Sequence, residues 1–548
     1  MKRYKSNSVF MRFLFIVAAI SSLISCTEKF DEYNVNKSKL MEVGPKELAG
    51  LFSTAQIEGC NWLTTDNYNR MSRTVGNHLS GLMCIMDITY EQNMLNLSYH
   101  SSGFVGIYSK AIPALQCIFD ISKDESSLQN NYAIALVWKV WLLQQVTDFF
   151  GPIPYTDAGV GKENTTYQSQ KEVYYLMFDD LKKAIDIMTA SVAVNPTANA
   201  FGVGDMIYDG DVSKWLKFAN TLRLRLAIRI SNIDPDKAKT EGEAAAAGST
   251  MSTNADDAFL AVINWDELGN GLCRVNPWYS SLMSSSIESF LKGYKDPRME
   301  QYFAPVADPK MSTIPELVAN IGGFHGFANG FRTTTEYNYA MYHSCLNTTR
   351  WNANTKLTLP IPILYSCETH FLKAEGAWRG WNMGVTAKAA YDEGIRVSMK
   401  QWTTISADSI QKYIDSENTP VAPEDYGYNH PAASDIPVKF SSNPEDQYEQ
   451  IITQKWLSFF PNGVEAFAEY RRTRLPKIYP KVVSVNANIN LADGQIITRL
   501  PFPMKEYNAQ PEQVKAAIPL LGNGVTEDLE NIPLWWDTNN NGSITPKF

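Results

Sequence analysis

The sequence predicts a mainly α fold, a tetratricopeptide-like scaffold of helix pairs with long irregular loop insertions. Three observations carry that expectation. Several stretches repeat apolar residues at the three- and four-residue steps of an amphipathic helix. Residues 131–149 are apolar on almost every face, as a central buried helix must be. The stretches between the helical ones are dense in Gly, Pro, Asn and aromatic residues and follow no fixed repeat.

In chain order, Lys2, Arg3, Lys5 and Arg12 precede an apolar run of 12 residues, Phe13 to Ile24. The run is too short to span a bilayer and reads as a secretory leader. Leu23-Ile24-Ser25-Cys26 reads as a lipobox cut before Cys26, whose thiol takes the lipid. The expected division is therefore a leader over 1–25, a flexible tether over 26–44 carrying Glu28, Asp31 and Glu32, and a single domain over 45–548. Pro45, suited to a first helical turn, opens a helix, and residues 104–122 form a second. Residues 131–149 end at Gly151-Pro152-Ile153-Pro154, which cannot continue a helix. Val173, Leu176, Met177, Leu181, Ala184, Ile185 and Met188 trace one face of the next helix. Residues 212–230 and 234–247 form a pair, the second opened by Asp234-Pro235 as cap and first residue. Residues 361–381 and 384–399 form the last clear pair, with Ala374 and Ala377 facing Ala389 and Ala390. Helix pairs thus fall within about 45–250 and 361–400, and the loop-rich insertions are 61–103, 150–170, 250–355 and 401–548.

Charge and composition exclude some functions. The chain has 49 basic and 58 acidic residues, and the leader carries four basic ones and no acidic one. The remainder, 45 against 58, has a net charge of −13 and is a poor binder of nucleic acid or anionic lipid. No second apolar run of bilayer length is read. The cysteines after Cys26 are dispersed without a C-x-x-C pair and match no zinc site; an exported protein could pair them, but mostly buried free thiols are expected over a disulfide set. There is no G-x-S-x-G elbow, H-E-x-x-H helix or phosphate loop, and no cofactor is implied. Asp537, Asn539 and Asn541 fit the early positions of a calcium loop, but Phe548 stands where its bidentate Glu belongs. A sugar site combines an aromatic platform with polar groups that fix hydroxyls. The insertions offer Trp62, Tyr68, Tyr90 and Tyr99, then Trp278, Tyr279 and Trp351, as ligand-binding candidates. The net charge and scattered aromatics favour a neutral sugar.

Several motifs carry a family resemblance over essentially the whole chain. They are the lipobox, Asp148-Phe149-Phe150-Gly151-Pro152-Ile153-Pro154-Tyr155, Lys295-Asp296-Pro297-Arg298, and Phe371 to Trp378 with Gly380-Trp381. To these add Gln454-Lys455-Trp456, Asn462-Gly463, Tyr470-Arg471-Arg472-Thr473 and Leu534-Trp535-Trp536-Asp537. Together they resemble the SusD/RagB nutrient-binding outer-membrane lipoproteins of Bacteroidetes, in the SusD-like branch. Read as residues, Arg471 and Arg472 follow an amphipathic helix and suit a scaffold role, satisfying helix C-terminal carbonyls or a carboxylate. The resemblance implies a protein anchored at the outer membrane facing the cell exterior. It implies capture of an oligosaccharide or peptide, handed to a TonB-dependent outer-membrane transporter (SusC-like), with no catalysis. A lipid-anchored glycoside hydrolase and a purely structural transporter partner are the alternatives.

Overall fold

Residues 43–64, 79–80, 103–162, 164–262, 269–276, 281–309, 314–330, 339, 341–352, 354–355, 358–424 and 428–539 are described by a computed structural model. Two units cluster separately, Met1–Glu47 and Leu48–Phe548. In the first, Pro45–Glu47 is one 3-10 turn. The leader, Cys26 and the acidic tether residues lie outside the described residues.

The second unit is mostly helical. Helix α1 (Leu48–Thr64) packs on α2 (Ile112–Ser122), which is entered through a wide π-type turn at Ile107–Ala111. Contrary to the sequence reading, Gly103–Ser122 is long and apolar enough to cross a membrane by length and composition. Its apolar side, with Phe104, Ile107, Leu115 and Ile118 buried, packs instead against α1 and α3 (Gln129–Phe150). Lys110 and Asp120 punctuate the run, so no unbroken apolar stretch stands out in the sequence.

Helix α3 is buried along most of its length, as its all-round apolarity predicts. Trp138 and Trp141 stack 4.6 Å apart, and Trp138 Nε1 donates to the Ala55 carbonyl at 3.1 Å. The helix stops at Gly151, whose φ of 84° favours glycine; a Cβ there would meet Leu521 at 2.9 Å. Helix α4 (Gln170–Val194) starts in a capping box of Ser169 and Glu172. Helices α5 (Val212–Arg229) and α6 (Pro235–Ala247) form the expected pair, and the Asp234 side chain accepts from the Lys237 N–H.

Among the described residues, four short strands make two antiparallel ribbons: β1 (Leu79–Ser80) with β3 (Leu282–Met283), and β2 (Ala258–Leu260) with β4 (Ile361–Leu364). Strand β4 corrects the reading of 361–381 as one helix. Pro360 and Pro362 remove backbone donors and bias their neighbours to extended backbone, so the helix waits until Ser366. Helix α7 (Ser285–Gly293) sits inside the third insertion. Helices α8 (Ser366–Trp378) and α9 (Ala387–Trp402) pair closely, with Ala374 and Ala390 buried. The last insertion holds α10 (Ala407–Ile414), α11 (Pro444–Ser458) and α12 (Gly463–Thr473). Helix α11 packs on both α8 and α9.

Among the described residues two hydrophobic cores form, one centred on α3 to α5 and one on α7, α9 and α11. A buried ion network ties α3, α5, α8, α11 and α12. Arg225 grips Glu368 with two bonds of 2.7 Å. Arg229 pairs with Asp148 at 3.1 Å and with Glu465 and Glu469. Arg472 forks onto Glu375 at 2.7 Å twice and also meets Glu469, which Lys455 reaches at 2.8 Å. Burial alone would push Glu469 up, but Arg472, Lys455 and Arg229 hold it well below the ordinary carboxylate range. Arg471, by contrast, donates to backbone carbonyls, Asp148 at 2.6 Å and Thr498 at 2.8 Å. Both scaffold roles expected of the arginine pair are thus filled, but Arg471 and Arg472 lie within α12 and not beyond a helix.

Candidate functional site

Where β2, β4 and the C-terminal end of α9 meet the third insertion, a cavity of about 290 Å³ opens. Its wall combines Phe259, Tyr365 and three prolines with Asn254, Asp257, Asn270, Arg350, Trp351, Lys400, Gln401 and Trp402. Local hydrogen bonds fix the loop that brings Arg350 and Trp351 there. Asn347 Oδ1 accepts from the N–H groups of Thr349 and Arg350, and Thr355 Oγ1 donates to the Arg350 carbonyl at 2.6 Å. Asn276 Nδ2 donates across to the carbonyls of Leu346 and Trp351. Asn270 Nδ2 ties the start of β4 by donating to the Pro360 carbonyl at 3.2 Å. The floor is therefore preorganised by short polar side chains typical of such loops.

The aromatic wall is shared with the core. Trp351 is 2% exposed, with its ring 6.0 Å from Trp402 and 5.8 Å from Phe460. Trp402 meets Tyr302 edge-on at 4.7 Å, and the Arg350 guanidinium lies 4.3 Å from its ring centre. Three residues lining the cavity carry buried polar atoms without a partner: Arg350 Nε, Gln401 Oε1 and Trp402 Nε1. Burial lowers the Arg350 pKa, and the opposing influences come from the Tyr365 and Tyr302 hydroxyls, not from a carboxylate. Among the described residues Asp257 is the one acidic residue in the wall, and its oxygens are engaged: Oδ1 accepts from the Ser366 N–H at 2.7 Å, Oδ2 from Asn254 at 3.2 Å. Burial raises its pKa.

Of the residues predicted to bind ligand, Trp351 lines this cavity. Tyr68, Tyr90, Tyr99, Trp278 and Tyr279 lie outside the described residues, as does the Trp62 side chain. Arg350 and Gln401 escaped the sequence reading; the Arg-Trp and Gln-Trp dipeptides flanking polar loop residues were the available signal. The calcium-loop residues that are described serve the scaffold. Asp537 meets Arg474 at 3.1 Å, and Asn539 Nδ2 donates to the carbonyls of Arg471 and Arg472 at 2.9 Å each, closing the end of α12. Asn541 lies outside the described residues. Among the described residues, Glu288, His325 and Glu424 could hold a metal ion, their donor atoms lying within 4.8 Å of one another. The Lys292 ammonium already stands 2.8 Å from Glu288 and 3.4 Å from Glu424.

The helix-pair scaffold thus carries a small cavity lined by unpartnered hydrogen-bonding groups. The SusD-like family, described as Susd and RagB outer membrane lipoprotein, matches residues 37–537, and the chain belongs to that family. Solved relatives share the fold over about nine-tenths of this chain. A SusD homologue from Bacteroides vulgatus is 28% identical, with a TM-score of 0.80 over 90% of this chain and 99% of that one. A SusD-like protein from Bacteroides thetaiotaomicron is 29% identical, with a TM-score of 0.76 over 91% and 100%. A chitin-binding SusD homologue from Flavobacterium johnsoniae is 28% identical, with a TM-score of 0.77 over 90% and 99%. No curated protein matches the chain.

Proposed function

We propose that this chain is a cell-surface glycan-binding lipoprotein. Residues 1–25 are removed, Cys26 carries the lipid, residues 26–44 form the tether and residues 45–548 the binding domain. The domain faces the cell exterior, captures oligosaccharides without cleaving them and passes them to a TonB-dependent outer-membrane transporter. Family membership and the chitin-binding relative support the ligand class. The observation that carries the reading is the cavity at the end of α9, where Arg350, Gln401 and Trp402 have hydrogen-bonding groups that the protein leaves unanswered. A hydroxyl-rich ligand answers such groups, and unpaired buried polar atoms otherwise cost about 1–3 kcal/mol each. Trp62, Tyr68, Tyr90, Tyr99, Trp278, Tyr279 and Trp351 are proposed to extend the contact surface along the insertions.

Calorimetry of the purified protein against an oligosaccharide panel tests this, together with an assay for new reducing ends. Binding without release of ends is expected. Release of ends would replace binding by hydrolysis, and a flat panel would leave only a structural partner of the transporter. Replacing Gln401 by Ala is expected to weaken binding by about tenfold through the lost acceptor.

A further inference from the structure

The cavity's charge is at odds with the charge of the chain. The protein carries a formal net charge of −9, yet among the described residues two cations, Arg350 and Lys400, stand in the cavity wall against one carboxylate, Asp257. That carboxylate is bound to Ser366 and Asn254. Arg350 has no carboxylate partner among the described residues, whereas Arg225, Arg229 and Arg472 of the ion network are each matched with one or more, and Arg471, which also lacks one, is held by backbone carbonyls. Its guanidinium lies instead against the rings of Trp402 and Trp351, at 4.3 and 5.6 Å. A guanidinium held on an aromatic wall keeps its fork of donors free for a planar anion.

We propose that this cavity is an anion subsite that takes the acidic group of a sugar, a uronic acid carboxylate or a sulfate ester, with Arg350 as the recognising residue and Lys400 at its rim. The inference rests on the reading of the cavity as a saccharide site and replaces the neutral sugar that net charge favours. Size supports a single terminal ring: about 290 Å³ falls at the lower bound of ligand pockets, about 300 Å³. Gln401 and Trp402 then serve the hydroxyls beside the acidic group, one accepting and one donating. A long polyanion would be repelled by the acidic body, whereas one charge at a chain end meets only the local field, since screening confines charge effects to about 8 Å at physiological salt.

Matched pairs test the idea on the full-length protein by calorimetry: digalacturonate and its methyl ester, cellobiouronate and cellobiose, 6-sulfated galactobiose and galactobiose. At least one acidic member is expected to bind about ten- to a hundredfold more tightly than its neutral partner, the range of a charged hydrogen bond. The pair that shows the preference separates carboxylate from sulfate. Arg350→Met should abolish the preference while leaving the circular dichroism spectrum unchanged, and Arg350→Lys should restore part of it. Equal binding within every pair would overturn the anion subsite and leave glycan binding standing. A preference that survives Arg350→Met would place the recognition elsewhere and overturn it too. Binding of a glutamate-rich peptide with no saccharide bound, or of no ligand at all, would overturn both the subsite and the saccharide reading.

Discussion

Arg472 and Arg350 sit in two regions that withdraw arginine from water, and the regions treat its charge in opposite ways. Arg472 lies fully buried in α12, with Glu375 and Glu469 accepting four of its hydrogen bonds. Burial alone would lower its pKa, but the two carboxylates raise it. Arg350 lies half-buried against two indoles, and burial lowers its pKa with only tyrosine hydroxyls opposing. A buried charge with every partner in place is part of the scaffold. Arg350, whose guanidinium meets neither a carboxylate nor a carbonyl among the described residues, carries a standing cost that a bound anion would remove. The difference separates what holds the fold from what is left for a ligand.

The largest effect should come from breaking the matched region. Arg472→Met leaves Glu375 and Glu469 short of their main counter-ion, and removing one partner of a buried pair costs about 3–5 kcal/mol. Urea denaturation of both proteins at neutral pH measures it. A loss below about 1 kcal/mol would mean that the network relaxes around the gap.

The pH dependence sharpens the same point. Glu469 titrates lower in the folded protein than in the unfolded chain. Its contribution is therefore complete above the unfolded value, about 4.3, and fades as pH falls through the folded one. The stability gap between the protein and Glu469→Gln should stay constant from neutral pH down to about pH 5 and narrow below it. Denaturation at a series of pH values follows the gap, and a gap that widens on acidification would contradict the assignment.

A fault without charge gives the intermediate effect. A Cβ on Gly394 would meet the Phe371 ring at 2.8 Å, where α9 crosses α8. Gly394→Ala should cost about 1–3 kcal/mol through overpacking, visible as a lower melting temperature with acidic-sugar preference intact.

The scaffold was more legible than the site. The all-round apolarity of α3 and the Asp234-Pro235 start of α6 are local signals, and the structure follows both. Strand β4 was misread because four apolar residues before a helix look like its first turn, and only the spacing of Pro360 and Pro362 argued otherwise. Arg471 and Arg472 read correctly as scaffold, but Glu375 and Asp148 are far away in sequence and nothing local names them. The cavity is harder still. Arg350 and Gln401 matter because of partners they lack; the tryptophan beside each is a local signal, but the missing partner is not. Trp351, an aromatic in a polar loop, was legible as a candidate, and only its share in the core was not.

The smallest effect on stability is expected where the sequence said least. Arg350→Met removes cation–π contacts with Trp402 and Trp351, worth about 0.5–1 kcal/mol at a partly exposed site. It also removes a guanidinium whose Nε is buried without an acceptor, a cost of similar size relieved in the same step. The methionine stem still covers the indole, so little packing is lost. The two terms oppose each other, and the net change should stay within about 1 kcal/mol in either direction, several-fold below that of Arg472→Met. Parallel denaturation of the two variants makes the comparison directly. If Arg350→Met destabilised as much as Arg472→Met, Arg350 would be a scaffold residue with partners supplied by the protein itself, and the contrast between the two regions would collapse.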